Sequence, residues 1–292
     1  MATVMFDRGA AGLDAAVPRL PHVRFDPPVS LGDTYVCPLC LVGVHRDRVG
    51  HLTKEHAPPR SIGGKVIALT CDPCNTGAGA MQRHAAQRQR WEHFAARSDG
   101  ASHDVEITGP DGAAVAAVVE HRGDAFVILV DDSRSDPAHL DALINRLDAG
   151  ETDFTMTGDV GFIESQAQVS DLRDAYLAAF ALLGYRFILW PDLDTIRNQI
   201  STGSPNSSLF KATDLLPDDF LGLLTLSSPV QTVCAVRPGG RCVFLPWPNQ
   251  GPELADWLAA GAPIADLAGR AHEWPTGMPM LLDFPQSDPG TA

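Results

Sequence analysis

Four cysteines fall into two Cys-x-x-Cys pairs, Cys37–Cys40 and Cys71–Cys74, with 30 residues between them. Each pair can clasp one side of a tetrahedral ion, and four thiolates at about 2.3 Å are the usual closed cage of structural Zn²⁺. In a reducing compartment this spacing reads as metal rather than disulfide. A redox role would use one such pair in a βαβ setting. Between the pairs runs KEHAPPRSIGGKVIALTCDPCN (54–75), in which Glu55 and His56 precede Pro58–Pro59 and Asn75 follows Cys74 directly. An ion that pins the two knuckles draws Asn75 towards Glu55 and His56. A carboxylate, an imidazole and an amide oxygen then surround one spot, which suits metal-assisted phosphodiester hydrolysis. A hard ion such as Mg²⁺ takes oxygen ligands and keeps several waters. An imidazole with an ordinary pKa of about 6.5 can take a proton from the attacking water, while the ion stabilises charge on the phosphate.

The elements that must position these groups are short. VGHLTKEH (49–56) reads as a strand ended by Pro58–Pro59, because proline lacks a donor and restricts its predecessor. KVIALTC (65–71), apolar and β-branched after Gly63–Gly64, reads as a second strand. From Asp72 the chain turns helical: Pro73 is compatible with a first turn, Gly77 and Gly79 weaken the start, and 80–97 is the strongest stretch. The predicted order is β–β–α, with one cysteine pair before the hairpin and the other where hairpin meets helix. Adjacent strand residues face opposite ways. Glu55 and His56 can therefore share a site only if the strand departs from an ideal pleat between them.

The string Cys-x-x-Cys, EHxPP, GG and LTCxxCN resembles the HNH endonuclease superfamily, in particular the bacterial zinc-bearing type, over about residues 36–80. The layout is similar to that of the zinc-bearing phage resolvase endonuclease VII. That resemblance implies a ββα-metal (His-Me finger) fold and a hydrolase acting on DNA. It implies structural zinc on Cys37, Cys40, Cys71 and Cys74, a catalytic divalent ion such as Mg²⁺ on Glu55 and Asn75, and His56 as general base. Cleavage in the family leaves 5′-phosphate and 3′-hydroxyl ends. Two positions depart from the pattern. The middle Asn of the signature falls on Val66, so another group must orient His56, and the acid is Glu rather than the commoner Asp. The missing Asn keeps an alternative in play: a zinc-stabilised nucleic-acid-binding or interaction module that has lost catalysis.

Residues 1–35, rich in Pro, Gly and Ala, read as a partly ordered arm. The HNH domain is expected at 36–98, a larger mixed α/β domain of unknown fold at 103–284 and a loose tail at 285–292, so the class is α+β. Past the break at 98–102, strands are expected at 104–109, 113–121, 124–131 and within DFTMTG. A helix is expected at 137–150, an amphipathic helix over 165–183 with Val169, Leu172, Tyr176, Ala179 and Leu183 on its core face, a strand at 185–190 and a hairpin within 230–247.

No run of 18 or more apolar residues exists, which argues against a membrane helix. The N-terminus lacks the basic and apolar regions of a signal peptide, so a cytoplasmic location is expected. Six cysteines and a net charge of −14 sit in 292 residues. That charge disfavours a generic DNA-coating protein, because non-specific DNA binding is dominated by cations on phosphate. Its distribution changes the picture. Residues 37–97 hold nine Lys or Arg against four acids, a surplus of five positive charges, which leaves nineteen excess negative charges on the rest. Arg60 and Lys65 flank the hairpin loop, and Arg83 and Arg88 lie on the helix; all four are candidate phosphate contacts. The acidic remainder can repel DNA outside that face, and it leaves room for a protein partner or a regulatory ligand.

Overall fold

The computed structural model describes residues 1–20, 23, 25, 28–211, 222–227, 232–237, 242–247, 256, 268–280 and 282. The chain mixes helix and sheet, as the α+β expectation required. It separates into two compact units, one made of Met1–Ala85 and Glu164–Ala292, the other of Ala86–Ile163. This division differs from the expected one at 36–98 and 103–284. The first unit is discontinuous, and it gathers the cysteine motifs together with most of the region expected to stand apart from them.

The first unit begins with α1 (Ala2–Ala16), where an arm was expected. Met5, Phe6, Ala10 and Leu13 recur at helical spacing and are buried. The Ala- and Gly-rich composition that suggested a loose arm instead permits close packing. A Cβ on Gly9 would sit 2.3 Å from the Tyr35 ring, so only glycine lets that ring lie against the helix. A short antiparallel pair follows, β1 (Thr34–Val36) and β2 (Gly43–His45). Next come β3 (Leu52–Ala57) and β4 (Lys65–Cys71), also antiparallel. The first begins three residues later than its sequence suggested, because residues 46–51 wind as a 3₁₀ segment. Then α2 (Asp72–Thr76) and α3 (Gly79–Ala95) complete the β–β–α order.

The loop joining β3 to β4 is tight. Gly63 takes φ +86°, and a Cβ on Gly64 would lie 1.4 Å from the Pro58 carbonyl oxygen. Both glycines of the GG motif are therefore demanded by backbone geometry. Gly64→Ala is expected to destabilise the first unit by about 2–3 kcal/mol through forced backbone displacement. Urea unfolding of the metal-loaded chain reads this directly, and an unchanged midpoint would mean that the loop can open.

The second unit starts within α3 and forms a four-stranded antiparallel sheet in the order β7–β6–β5–β8, with β5 at Ser102–Thr108, β6 at Ala114–Arg122, β7 at Ala125–Val130 and β8 at Thr155–Thr157. Helix α4 (Pro137–Asp148) is capped by Asp136, whose side chain accepts from Ala138 N. Leu143 of α4 packs with Ile107, Val115 and Ala117 in a small separate core.

The first unit resumes with α5 (Glu164–Leu183), α6 (Tyr185–Ile188) and α7 (Asp194–Thr202). The segment 185–190, expected as a strand, is helical at 185–188: β-type composition is overridden where the chain turns tightly after Gly184 (φ +71°). A five-stranded antiparallel sheet in the order β13–β10–β11–β12–β9 closes the unit. Its strands are β9 (Phe210–Lys211), β10 (Gly222–Ser227), β11 (Thr232–Arg237), β12 (Cys242–Leu245) and β13 (Ala268–Glu273). The hairpin expected within 230–247 is β11 and β12, which pair through Cys234↔Leu245 and Val236↔Val243. The tail expected at 285–292 lies outside the described residues. Among the described residues no helix is long and apolar enough to cross a membrane.

Most of α5 is buried, not only the apolar stripe that its sequence displays. Ser170, Asp171, Arg173 and Asp174 are enclosed with Leu172, Tyr176 and Phe180. A helix surrounded in this way must satisfy its polar groups internally, and one of them reaches the cysteine-bearing hairpin.

Candidate metal centre

Strand β1 delivers the first cysteine pair into a tight turn. Leu41 N donates to the Cys37 carbonyl at 2.9 Å, and Cys37 N donates to the Val42 carbonyl at 2.9 Å. Two tyrosines brace this knuckle from the far part of the sequence. Tyr176 Oη donates to the Pro38 carbonyl at 2.9 Å. Tyr185 Oη accepts from Val36 N at 3.0 Å and donates to the Val36 carbonyl at 2.9 Å. The second pair spans the end of β4 and the first turn of α2, where Pro73 loses nothing by lacking a donor.

The Sγ atoms of Cys37, Cys40, Cys71 and Cys74 all lie within 4.8 Å of one another, and Cys40 and Cys71 are 3.6 Å apart. A tetrahedron with bonds of about 2.3 Å has edges of just under 4 Å, so the four thiols fit a metal ion such as zinc. Their acidities suit this as well. Hydrogen bonds from Cys37 and Cys74 hold the Cys40 thiol down to about 4. Cys71 is pushed up, foremost by its bond with Cys37, and Cys74 is pushed up by Cys37 and Cys40. Ionising all four thiols would crowd negative charge on neighbouring sulfurs, and a divalent cation relieves that.

The pairing of β3 with β4 shifts register between Glu55 and His56. Glu55 pairs with Ala68 while His56 pairs with Val66, so Ile67 is an extra residue and β4 bulges there. Glu55 nevertheless turns inward and is only 1% exposed. Its Oε2 accepts from Arg173 Nη2 at 2.9 Å and from Thr70 Oγ1 at 3.1 Å, and its Oε1 accepts from Gln82 Nε2 at 3.1 Å. Burial pushes the carboxyl pKa upward against the opposing pull of Arg173. His56 is half-buried on the same strand. Beyond it, the Ala57 carbonyl accepts from Trp274 Nε1 at 2.8 Å. The Val66 carbonyl accepts from Gly277 N at 2.8 Å. The segment 274–277 thus holds the backbone on both sides of the bulge.

Asn75 is half-buried in α2, which packs against β3. A catalytic divalent ion fits less well than zinc does. A carboxylate oxygen has two lone pairs: Oε2 of Glu55 has both engaged, and Oε1 has one left inside a buried pocket. With Arg173, Thr70 and Gln82 holding it, Glu55 keeps a single unengaged lone pair, and that one is buried.

The candidate phosphate contacts divide. Arg60, Lys65 and Arg83 are exposed. Arg88 is 6% exposed and approaches Glu92 at 3.6 Å, so it is not presented to a phosphate. Sequence reasoning missed Arg173, Tyr176 Oη, Tyr185 Oη and Trp274. Only Tyr176 stood out, as part of an apolar stripe, and nothing near it in sequence marks its hydroxyl as a brace for Pro38. Comparisons of the chain with protein-family models, curated proteins and solved structures yield no match.

Proposed function

We propose that the hairpin and following helices of the first unit form a zinc-stabilised module that hydrolyses phosphodiester bonds in DNA, with His56 as general base. The observation that carries this reading is the juxtaposition made by the four-cysteine cluster. It joins the Cys37–Cys40 turn to the β4–α2 turn that bears Asn75, and α2 packs against β3, the strand bearing His56, on a unit where Arg60, Lys65 and Arg83 are exposed. Zinc in the cluster is structural in this reading, because all four positions are thiolates and none is left for water. His56 takes a proton from water, and the exposed cations hold the phosphate backbone. A divalent ion bound near Asn75 would supply charge stabilisation at the phosphate. Glu55 belongs to its ligand set only if the carboxylate leaves Arg173.

The Glu55–Arg173 pair also favours a second reading, a DNA-binding module without cleavage. Incubating the zinc-loaded chain with plasmid DNA in Mg²⁺, Mn²⁺ or EDTA separates the two. Metal-dependent nicking is expected, and His56→Ala should reduce it roughly 10²–10⁴-fold, the usual worth of a general base, while zinc content and DNA affinity stay unchanged. Binding without cleavage under every metal supports the second reading, and cleavage by His56→Ala at the original rate removes the proposed mechanism.

A further inference from the structure

Helices α5 and α7 and the two cysteine turns border a cavity of about 500 Å³, and every residue lining it belongs to the first unit. Leu39, Leu41, Met81 and Ile200 give it apolar walls, while Asn198 and Ser201 of α7 are exposed, so the cavity opens on that side. A cavity of this size, mostly apolar with a few polar groups converging on it, is the ordinary form of a small-molecule site.

Two arginines line it, and their other partners decide what it can hold. Arg197 commits Nη1 to Tyr176 Oη and the Ile188 carbonyl, and Nη2 to Asp194. Arg173 donates from Nη2 to Glu55 Oε2. Its Nη1, enclosed in the protein, has no hydrogen-bond partner among the described residues. A buried donor of a charged group is costly to leave unbonded, and native structures rarely carry one without a water, an ion or a ligand to accept from it. Because Arg173 is part of the lining, the acceptor can come from an occupant of the cavity.

We propose that the cavity binds a small, uncharged, largely apolar molecule with a carbonyl-type oxygen, which accepts from Arg173 Nη1 while the apolar body lies against Leu39, Leu41, Met81 and Ile200. The charges favour a neutral acceptor over an acid. Each guanidinium is already matched by a carboxylate, Glu55 for Arg173 and Asp194 for Arg197. Cys40 and Cys74 add thiols to the lining, and four thiolates around a divalent cation carry a net negative charge. No positive charge is left over for an anionic head, whereas one N–H is left over for a neutral oxygen.

Equilibrium dialysis of the full zinc-loaded chain against 2-naphthamide, naphthalene and 2-naphthoate tests this. The three share an apolar body and carry, in turn, a neutral carbonyl, no acceptor and a carboxylate. The amide should bind saturably with a dissociation constant of about 10–100 µM, within the range open to a ligand of that size. Naphthalene and 2-naphthoate should each bind roughly tenfold more weakly, the first for want of an acceptor and the second for its charge. Ser201→Trp, which fills the opening from an exposed position, should weaken the amide roughly tenfold. The double change Glu55→Leu with Arg173→Leu, which removes the donor without stranding a charge, should do the same. Circular dichroism checks that both variants remain folded, and Ser201→Trp decides alone if the buried double change does not. An amide that fails to bind overturns the proposal, as does one whose affinity a folded variant leaves unchanged or that naphthalene or 2-naphthoate matches.

Discussion

Replacing Cys71 with Ser, or removing the metal with a chelator at neutral pH, is expected to unfold the hairpin region of the first unit. The sheets nearest the cluster are two pairs of short strands, β1–β2 and β3–β4, and an isolated two-stranded hairpin is marginal in water. Structural zinc contributes about 10–16 kcal/mol of apparent binding free energy in small metal domains, comparable to the whole stability of a typical protein, about 5–15 kcal/mol. The buried core of α1, α5 and α6 offsets part of the loss but cannot restrain four crowded thiols that no longer share a cation. Hydrogen exchange should lose protection first across residues 34–76, and the thermal midpoint should fall by well over 10 °C, given that about 1 kcal/mol shifts a domain of this size by roughly 2–4 °C. Acid should act the same way, because protons compete with metal for thiolates and affinity drops as pH falls. A metal-free chain with unchanged midpoint and exchange would show that the cysteines are ordinary core residues.

Arg173→Leu is the second large effect. Arg173 and Glu55 are both almost wholly enclosed, with side-chain exposures of 2% and 1%. Removing one partner of a buried pair leaves an uncompensated charge and typically costs about 3–5 kcal/mol, whereas replacing both with apolar groups is often neutral. The double change Glu55→Leu with Arg173→Leu should therefore recover most of what the single change loses. Asp174 deepens the problem: burial pushes its carboxyl well above the usual range, and Asp171 beside it adds to the shift. The pH dependence has a definite sign. A carboxyl whose folded pKa lies above its unfolded value contributes fully only below the unfolded value, and that contribution is lost as pH rises through the folded one. Without Arg173 the folded pKa of Glu55 rises further, so the penalty should be largest at neutral pH and shrink as pH falls towards about 4. Denaturant titrations of the full chain at several pH values read this, and a pH-independent penalty would mean that lost packing, not the stranded carboxylate, is responsible. In the same samples, nicking by Glu55→Gln at an undiminished rate would assign Glu55 wholly to the ion pair rather than to a catalytic metal.

What the sequence disclosed about this region follows the range of each signal. The cysteine spacing, the strand at 65–71 and the helix after Gly79 rest on local chemistry and appear where expected. The bulge at Ile67 was not legible: the sequence posed a geometric demand on the strand bearing Glu55 and His56, and the extra residue lies on its partner, β4. Arg173 was invisible, because its meaning depends on a carboxylate 118 residues away. The same holds for Trp274, which reaches the Ala57 carbonyl across 217 residues. The first unit's discontinuity was hidden for another reason: the composition shift at 98–102 marks where a second sheet begins, not where the first core ends. At α1, composition misled, since alanine and glycine serve a tightly packed helix as readily as a loose arm.

The discontinuity sets an order of events on the ribosome. All four cysteines are made within 38 residues of chain, so a metal ion that fits their cluster can be captured as soon as that stretch emerges. Arg173 is still 118 residues from Glu55 in the chain, and at about 5–20 residues per second the nascent hairpin waits roughly 6–24 s for it. During that interval Glu55 stands without its guanidinium, and the second unit is synthesised and free to collapse on its own small core. Capture of a metal ion by the four cysteines is thus positioned to come first, closure of α5 over the carboxylate last, and translation speed becomes a variable in how the hairpin matures.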